Sequence, residues 1–322
     1  MKLGVFTVLF SDKNFEEMLD AVKEAGLQAV EIGTGGYPGN AHCDLDGLLE
    51  NEEKRQDYLK QVEKRGLMIS AFSCHGNPIS PEKDFALESH ETLMKSIKLA
   101  SLMNVPVVNC FSGTAGDHEG AKFPNWPVTP WPTEYSDVKT WQWEEKLIPY
   151  WKEVGQYASE HGVKIGLELH GGFLVHTPYT LLKLREETND AIGANLDPSH
   201  LWWQGIDPVG AIKILAKANA IHHFHAKDTY IDQDNANMYG LTDMQPYGNV
   251  QTRAWTFRSV GCGHSASEWS DMMSALRTYG YDYVVSIEHE DPLMSIREGL
   301  ARAVSTLKSV VIEEAPSQMW WA

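Results

Sequence analysis

Residues 157–170 read YASEHGVKIGLELH. A polar, helix-compatible segment runs into Gly162. Glycine suits the position just past a helix end, where a positive φ is required and the missing Cβ removes its penalty. The apolar run that follows does not alternate cleanly with polar residues, as expected of a parallel strand covered on both faces. It stops at Glu168. The same phrase recurs as AVKEAGLQAVEIG at 21–33, QVEKRGLMISAFS at 61–73 and LRTYGYDYVVSIE at 276–288, with Gly26, Gly66 and Gly280 at the joint. Working outward gives eight strand candidates, at 2–10, 27–33, 67–74, 106–111, 163–169, 191–197, 220–226 and 282–288. Helical patterns follow them at 14–25, 52–65, 84–103, 138–161, 178–189, 207–219, 265–279 and 294–312. Eight βα units predict an α/β fold, a (β/α)8 TIM barrel, as a single domain over residues 1–322. A doubly wound open sheet would carry GxGxxG after its first strand, and none is present.

Two stretches break the rhythm. Residues 112–136, rich in Pro, Gly and Trp, follow the fourth strand, and residues 229–264 follow the seventh. Both are predicted as long βα loops, which in such barrels lie on the face that carries the site. The terminal Gln318-Met319-Trp320-Trp321 reads as packing against the barrel or a partner chain, which leaves a homo-oligomer open.

The chain has 27 basic and 44 acidic residues, a net charge of −17 that repels phosphate backbones and anionic membranes. No basic stripe offsets it, so neither nucleic acid nor membrane is an expected partner. Four cysteines at 43, 74, 110 and 262 lack metal-ribbon or disulfide spacing and read as reduced thiols. The first apolar run is too short for a signal peptide and nothing approaches a membrane span, so the expected location is cytoplasmic.

The informative residues are polar groups that end apolar strands. The fifth strand ends in Leu167-Glu168-Leu169-His170 and the sixth in Asn195-Leu196-Asp197-Pro198-Ser199-His200. The seventh runs His223-Phe224-His225-Ala226-Lys227-Asp228, and the eighth ends in Ile287-Glu288-His289-Glu290. Period-two alternation puts Glu168, Asp197, His225 and Glu288 on the inward faces of four consecutive strands. Three carboxylates converging in a partly dry pocket require compensation. A divalent cation supplies it, and three oxygens with one imidazole suit Mn²⁺ first, then Mg²⁺ or Co²⁺, with Zn²⁺ as an alternative. Around this set, His75, Asn109, His200, Lys227 and Arg258 are the candidate substrate-binding residues, and Glu31 faces inward from the second strand.

These strand ends resemble the xylose-isomerase-like TIM-barrel superfamily, which includes sugar-phosphate isomerases and epimerases, ketose 3-epimerases and inosose isomerases and dehydratases. The resemblance rests on GLELHGG, GANLDPSHLWWQGID, HHFHAKD and FRSVGCGHS with GYDYVVSIEHED. It implies that Glu168, Asp197, His225 and Glu288 bind one metal ion, and that Glu168 and Glu288 carry protons as the catalytic pair. It implies that His200 contacts substrate, and His75 resembles the family's third-strand histidine. The implied reaction is metal-dependent isomerisation or epimerisation of a sugar or keto-sugar through an enediolate. A lyase or dehydratase acting on an inosose or 3-keto-glycoside is the alternative, the aromatic loops (Trp126, Trp131, Trp202, Trp203, Trp255) suiting a larger glycoside. A non-catalytic sugar-binding barrel or assembly subunit is the third reading. Leu174 and Ile231 stand where ketose 3-epimerases carry Glu and Arg, which argues against a simple free-ketose 3-epimerase and leaves Arg258 as the substitute cation. The related endonucleases need further ligands and a basic groove that this charge denies them.

Overall fold

Apolar runs of four to six residues become strands, each followed by a segment of the opposite periodicity. In chain order the strands are β1 (Lys2–Phe6), β2 (Ala29–Gly33), β3 (Met68–Ser73), β4 (Val107–Cys110), β5 (Lys164–Glu168), β6 (Ile192–Leu196), β7 (Ile221–Ala226), β8 (Asp228–Ile231), β9 (Trp255–Arg258) and β10 (Val284–Ile287). They are taken from a computed structural model that describes residues 1–321. All except β8 and β9 form one closed barrel in the order β1-β10-β7-β6-β5-β4-β3-β2, every pairing parallel. The expected (β/α)8 TIM barrel is the observed fold.

Helix ends follow local chemistry. Asn14 accepts from the Glu17 backbone N–H at 3.0 Å while Glu17 returns the bond to Asn14 N–H, a capping box opening helix Phe15–Glu24. Gly26, Gly66, Gly162 and Gly280 have φ of 72°, 71°, 68° and 91°, as the repeated phrase requires. The outer core lies between strands and helices, where Trp143, Trp151 and Trp269 are almost wholly buried beside Ile97, Leu99, Leu184 and Leu276.

The barrel interior is polar. Ser70, Ser73, Asn109, Asn195, His223 and Ser286 are all buried, and they bond across the barrel rather than to water. Space for them comes from glycine: a Cβ at Gly166 would collide with Asn109 Oδ1 and approach Asn195 Cβ at 3.2 Å.

Several boundaries differ from expectation. The first strand stops at Phe6, and Thr7–Phe10 is a 3-10 turn. The loop after β4 yields to helix Thr133–Trp141 and a π-turn at Gln142–Leu147, ahead of the predicted helix start. The stretch after β7 is not a plain loop: β8 and β9 pair antiparallel, Asp228 opposite Arg258 and Ile231 opposite Trp255, with helix Gln233–Tyr239 between them. The aromatic terminus does not pack on the barrel; Trp320 and Trp321 are 87% and 68% exposed and touch each other edge to face. No helix among the described residues is long and apolar enough to cross a membrane.

Gly166→Ala is expected to destabilise the fold by about 1–3 kcal/mol, because the inserted methyl strains a packed interior. Gly248→Ala, where no atom lies within 4 Å, should leave the urea midpoint unchanged.

Candidate metal and substrate site

Each ligand candidate is aimed by a different local device. Asp197 caps the short helix Pro198–Trp202, its Oδ1 accepting from Ser199 N–H at 2.8 Å, with Pro198 preset for the first turn. That bond leaves Oδ2 facing the barrel axis. Glu168 ends β5 between histidines: His200 Nε2 lies 3.0 Å from Oε1, and His75 Nε2 lies 3.0 Å from Oε2. Glu288 follows β10, its Oε2 2.8 Å from Lys227 Nζ and 3.0 Å from His225 Nδ1. His225 Nδ1 is also 3.4 Å from Glu168 Oε2. One ligand atom from each of Glu168, Asp197, His225 and Glu288 lies within 4.8 Å of all the others. Two of them, Asp197 Oδ2 and His225 Nδ1, are buried beside charged neighbours but make no well-directed hydrogen bond. Buried donor atoms of this kind converging on one point, in a set of three carboxylates and an imidazole, fit a divalent cation.

The electrostatics agree with that fit. Burial alone would raise the Glu168 carboxyl, but hydrogen bonds from His200, His225 and His75 hold it well below the ordinary range. Burial and then the charges of Lys227 and His225 act oppositely on Glu288, leaving it at about 2. Asp197 is pushed up to about 7, by burial and by the neighbouring Glu168 and Glu288 carboxylates, against the pull of Lys227. His225 is raised well above its usual value because the carboxylates Glu31 and Glu288 outweigh its burial.

Lys227 is 2% exposed at its side chain and sits among three carboxylates, 3.2 Å from Asp197, 2.8 Å from Glu288 and 3.0 Å from Glu290. Phe257 lies beneath its ammonium at 4.6 Å. His75, His200 and Lys227 thus join the four ligand candidates. Asn109 and Arg258 do not. Asn109 lies one layer deeper and donates to Glu31 at 2.9 Å, and Arg258 is held at the end of β9 by Asp291 at 3.0 Å.

The walls are aromatic. Phe111 stacks on Phe173 at 4.1 Å and meets His75 edge-on, while Phe257 meets His200 edge-on at 5.3 Å with Tyr247 stacked behind it. Four of the tryptophans offered above to a glycoside are occupied in packing: Trp203 on Trp255 at 4.9 Å, Trp202 on His264 at 3.8 Å, and Trp126 against His176. Trp131 is 75% exposed.

His170, next to Glu168 in the loop, packs 4.0 Å from the His200 ring. Sequence reading missed two contributors. Glu290 shares Lys227. Asp228 is the second: its carboxylate accepts from Thr229, Gly261, Gly263 and His264 backbone N–H groups, from the His264 ring and from Trp269 Nε1, all within 3.1 Å. A buried acid directly after an apolar strand was its only visible signal. Through these bonds Asp228 ties the β8–β9 hairpin to the barrel beside Lys227. Asp228→Asn places amide hydrogens against these donors and is expected to cost about 3 kcal/mol. Faster proteolysis between residues 240 and 250 would accompany the loss, whereas unchanged cleavage and urea midpoint would contradict this anchoring role.

Comparison with known proteins places the fold. The chain is 36% identical over 315 residues to the uncharacterized protein YfiH of Bacillus subtilis (strain 168), covering 97% of this chain and 99% of that one. It is 25% identical over 231 residues to 3-dehydroshikimate dehydratase of Bacillus anthracis, covering 71% and 72%. Among solved structures, 3-keto-D-glucoside 4-epimerase YcjR of E. coli superposes with a TM-score of 0.65 at 13% identity, covering 96% and 99%, a likeness of fold. The family model described as xylose isomerase-like TIM barrel matches residues 19–309, and the chain belongs to that family.

Proposed function

We propose that the protein is a divalent-metal-dependent isomerase or epimerase of a keto-sugar, working through an enediolate. The observation that carries this reading is the pair of ionised carboxylates on either side of His225, with Glu168 3.4 Å and Glu288 3.0 Å from its Nδ1. Removing a proton beside a carbonyl on one face and returning it on another requires two such bases. Both are kept in the basic form, Glu168 by its histidines and Glu288 by Lys227 and His225. In isomerisation one carboxylate takes the proton from carbon and returns it to the neighbouring carbon. In epimerisation the opposite carboxylate first takes a proton from water and delivers it to the other face, and the first carboxylate then gives its own proton up to water. Glu168, Asp197, His225 and Glu288 would hold the metal ion, Mn²⁺ before Mg²⁺, Co²⁺ or Zn²⁺. When bound, it supplies the positive charge that an enediolate requires.

The remaining residues orient the substrate. His200, whose Nε2 lies 3.0 Å from Glu168 Oε1, would exchange that contact for one to the carbonyl oxygen when substrate binds. His75 and Lys227 hold flanking hydroxyls. Asn109 acts at one remove through Glu31, and Arg258 through Asp291. Phe111, Phe173 and Phe257 exclude water from the reacting carbons.

A dehydratase is the second reading, favoured by the 25% identity to a protein named for that reaction and by the Lys227 ammonium. In that case one Glu takes the proton, the C–O bond at the β-carbon breaks, and Lys227 protonates the departing hydroxide to water. A screen of keto-sugars and inososes in D2O separates the readings. Deuterium incorporation without mass loss is expected for an isomerase, and loss of water for a dehydratase. Glu168→Gln and Glu288→Gln should each lower kcat by about 10²–10⁴-fold. Full activity in both variants would remove these two residues from the proton chemistry, and no deuterium incorporation or water loss by the native chain would leave a sugar-binding barrel or assembly subunit in place of an enzyme.

Because the surroundings shift Asp197 and His225 upward, a metal ion competes with protons at both. Affinity for Mn²⁺ is therefore expected to strengthen as pH rises through about 7, the value for Asp197. At a hundredfold excess over Kd the ion should stabilise the chain by about 2.7 kcal/mol. Asp197→Asn should abolish that gain in thermal scans.

A further inference from the structure

We infer that Glu31 is the positioning residue of the metal centre: it fixes the tautomer and orientation of His225 from beneath, without touching substrate. The inference rests on the metal reading above. Glu31 sits on β2, across the barrel from His225 on β7, and is wholly buried. His225 Nε2 lies 2.9 Å from both Glu31 oxygens, so its proton bridges a carboxylate that can only accept. An imidazole that keeps its proton on Nε2 in this way would give up only the Nδ1 proton to a metal ion, leaving the Nδ1 lone pair for the point where Glu168, Asp197 and Glu288 converge. A carboxylate behind a metal-bound imidazole fixes the ring and strengthens it as a ligand. Phe6, whose ring centroid is 5.7 Å from that of His225, packs beside it and limits its rotation.

The rest of the Glu31 shell exists to hold that carboxylate still. Ser73 donates to Oε1 at 2.5 Å, Asn109 to Oε1 at 2.9 Å and Ser286 to Oε2 at 2.7 Å. These donors come from β3, β4 and β10, so three further strands converge on one carboxylate. Glu31, His223 and His225 also lie close enough for a second cation. The hydrogen bonds argue against one. Both Glu31 oxygens are occupied by donors, and His223 is engaged by Asn109 and Asn195 at Nδ1 and by Ser70 at Nε2. A cation there would displace bonds already made, whereas the upper site holds atoms without a well-directed hydrogen bond.

Titrating chelator-stripped protein with Co²⁺ against a chromophoric chelator tests this directly. The native chain is expected to bind one Co²⁺, and Glu31→Gln to bind it about 10–100-fold more weakly. The Co²⁺-loaded native protein should also show a hyperfine-shifted imidazole N–H proton that exchanges slowly with D2O. Glu31→Gln should lose that signal or speed its exchange, which a change in overall stability alone would not do. Should Glu31→Gln fail to fold, Ser286→Ala removes one donor to Glu31 and no charge. It should weaken binding by less than about tenfold and move the same resonance. Equal affinity with an unmoved resonance in the folded variant overturns the inference. So does binding of two ions by the native chain and one by Glu31→Gln, which would make Glu31 a ligand. No Co²⁺ binding by the native chain would instead remove the metal reading on which the inference stands.

Discussion

Four carboxylates, Glu31, Glu168, Asp197 and Glu288, are gathered inside one barrel, and the rest of the design answers the cost of dehydrating them. An unpaired carboxylate in such surroundings costs several kcal/mol even after relaxation. Three of the four are 0–3% exposed. Each is answered by a specific partner: Glu31 by His225 and three neutral donors, Glu168 by His75 and His200, and Glu288 by Lys227. Asp197 is answered least completely, with one oxygen spent on a helix N-terminus and the other facing Lys227 Nζ at 3.2 Å without a well-directed hydrogen bond. The deficit falls at the point where the ligand atoms converge.

This arrangement reverses the usual division of labour in the fold. TIM-barrel interiors are filled by layers of branched apolar side chains. Here the layer under the site is serine, asparagine, histidine and glutamate, and cohesion comes from the outer shell of Trp143, Trp151, Trp269 and the aliphatic faces of the helices. Gly166 makes room for Asn109, so even the residues without side chains serve the polar network.

Much of this was legible before any coordinates. The helix-Gly-strand phrase specifies the barrel because each part obeys a local rule, and the positive φ at Gly26, Gly66, Gly162 and Gly280 reflects that rule. Period-two alternation was enough to point Glu168, Asp197, His225 and Glu288 the same way, and they do converge. Alternation states a face but not a partner. It could not tell that Asn109 serves Glu31 or that Asp291 occupies Arg258. The β8–β9 hairpin was hidden because its strands are four residues each and separated by a long insertion, leaving no short turn signal. The tryptophans misled for a related reason: composition shows that aromatic surface exists, not that Trp203 and Trp255 bury it against each other.

The placement of Lys227 explains why site and wall belong to one unit. Its stem comes straight off β7, its ammonium reaches Asp197, Glu288 and Glu290, and the next residue, Asp228, grips the hairpin that supplies Phe257 beneath it. A shift of the hairpin therefore moves a wall of the pocket and the charge that balances its carboxylates together. The strands fix proton chemistry and ligand geometry, since any change there strands a buried charge. The loops after β4 and β5 and the β8–β9 hairpin supply Phe111, Phe173 and Phe257, the aromatic wall that shapes the pocket above those groups. Leu174 and Ile231, where the chain departs from the ketose 3-epimerase pattern, lie in the loop after β5 and at the end of β8, while all four ligand candidates remain at the ends of barrel strands.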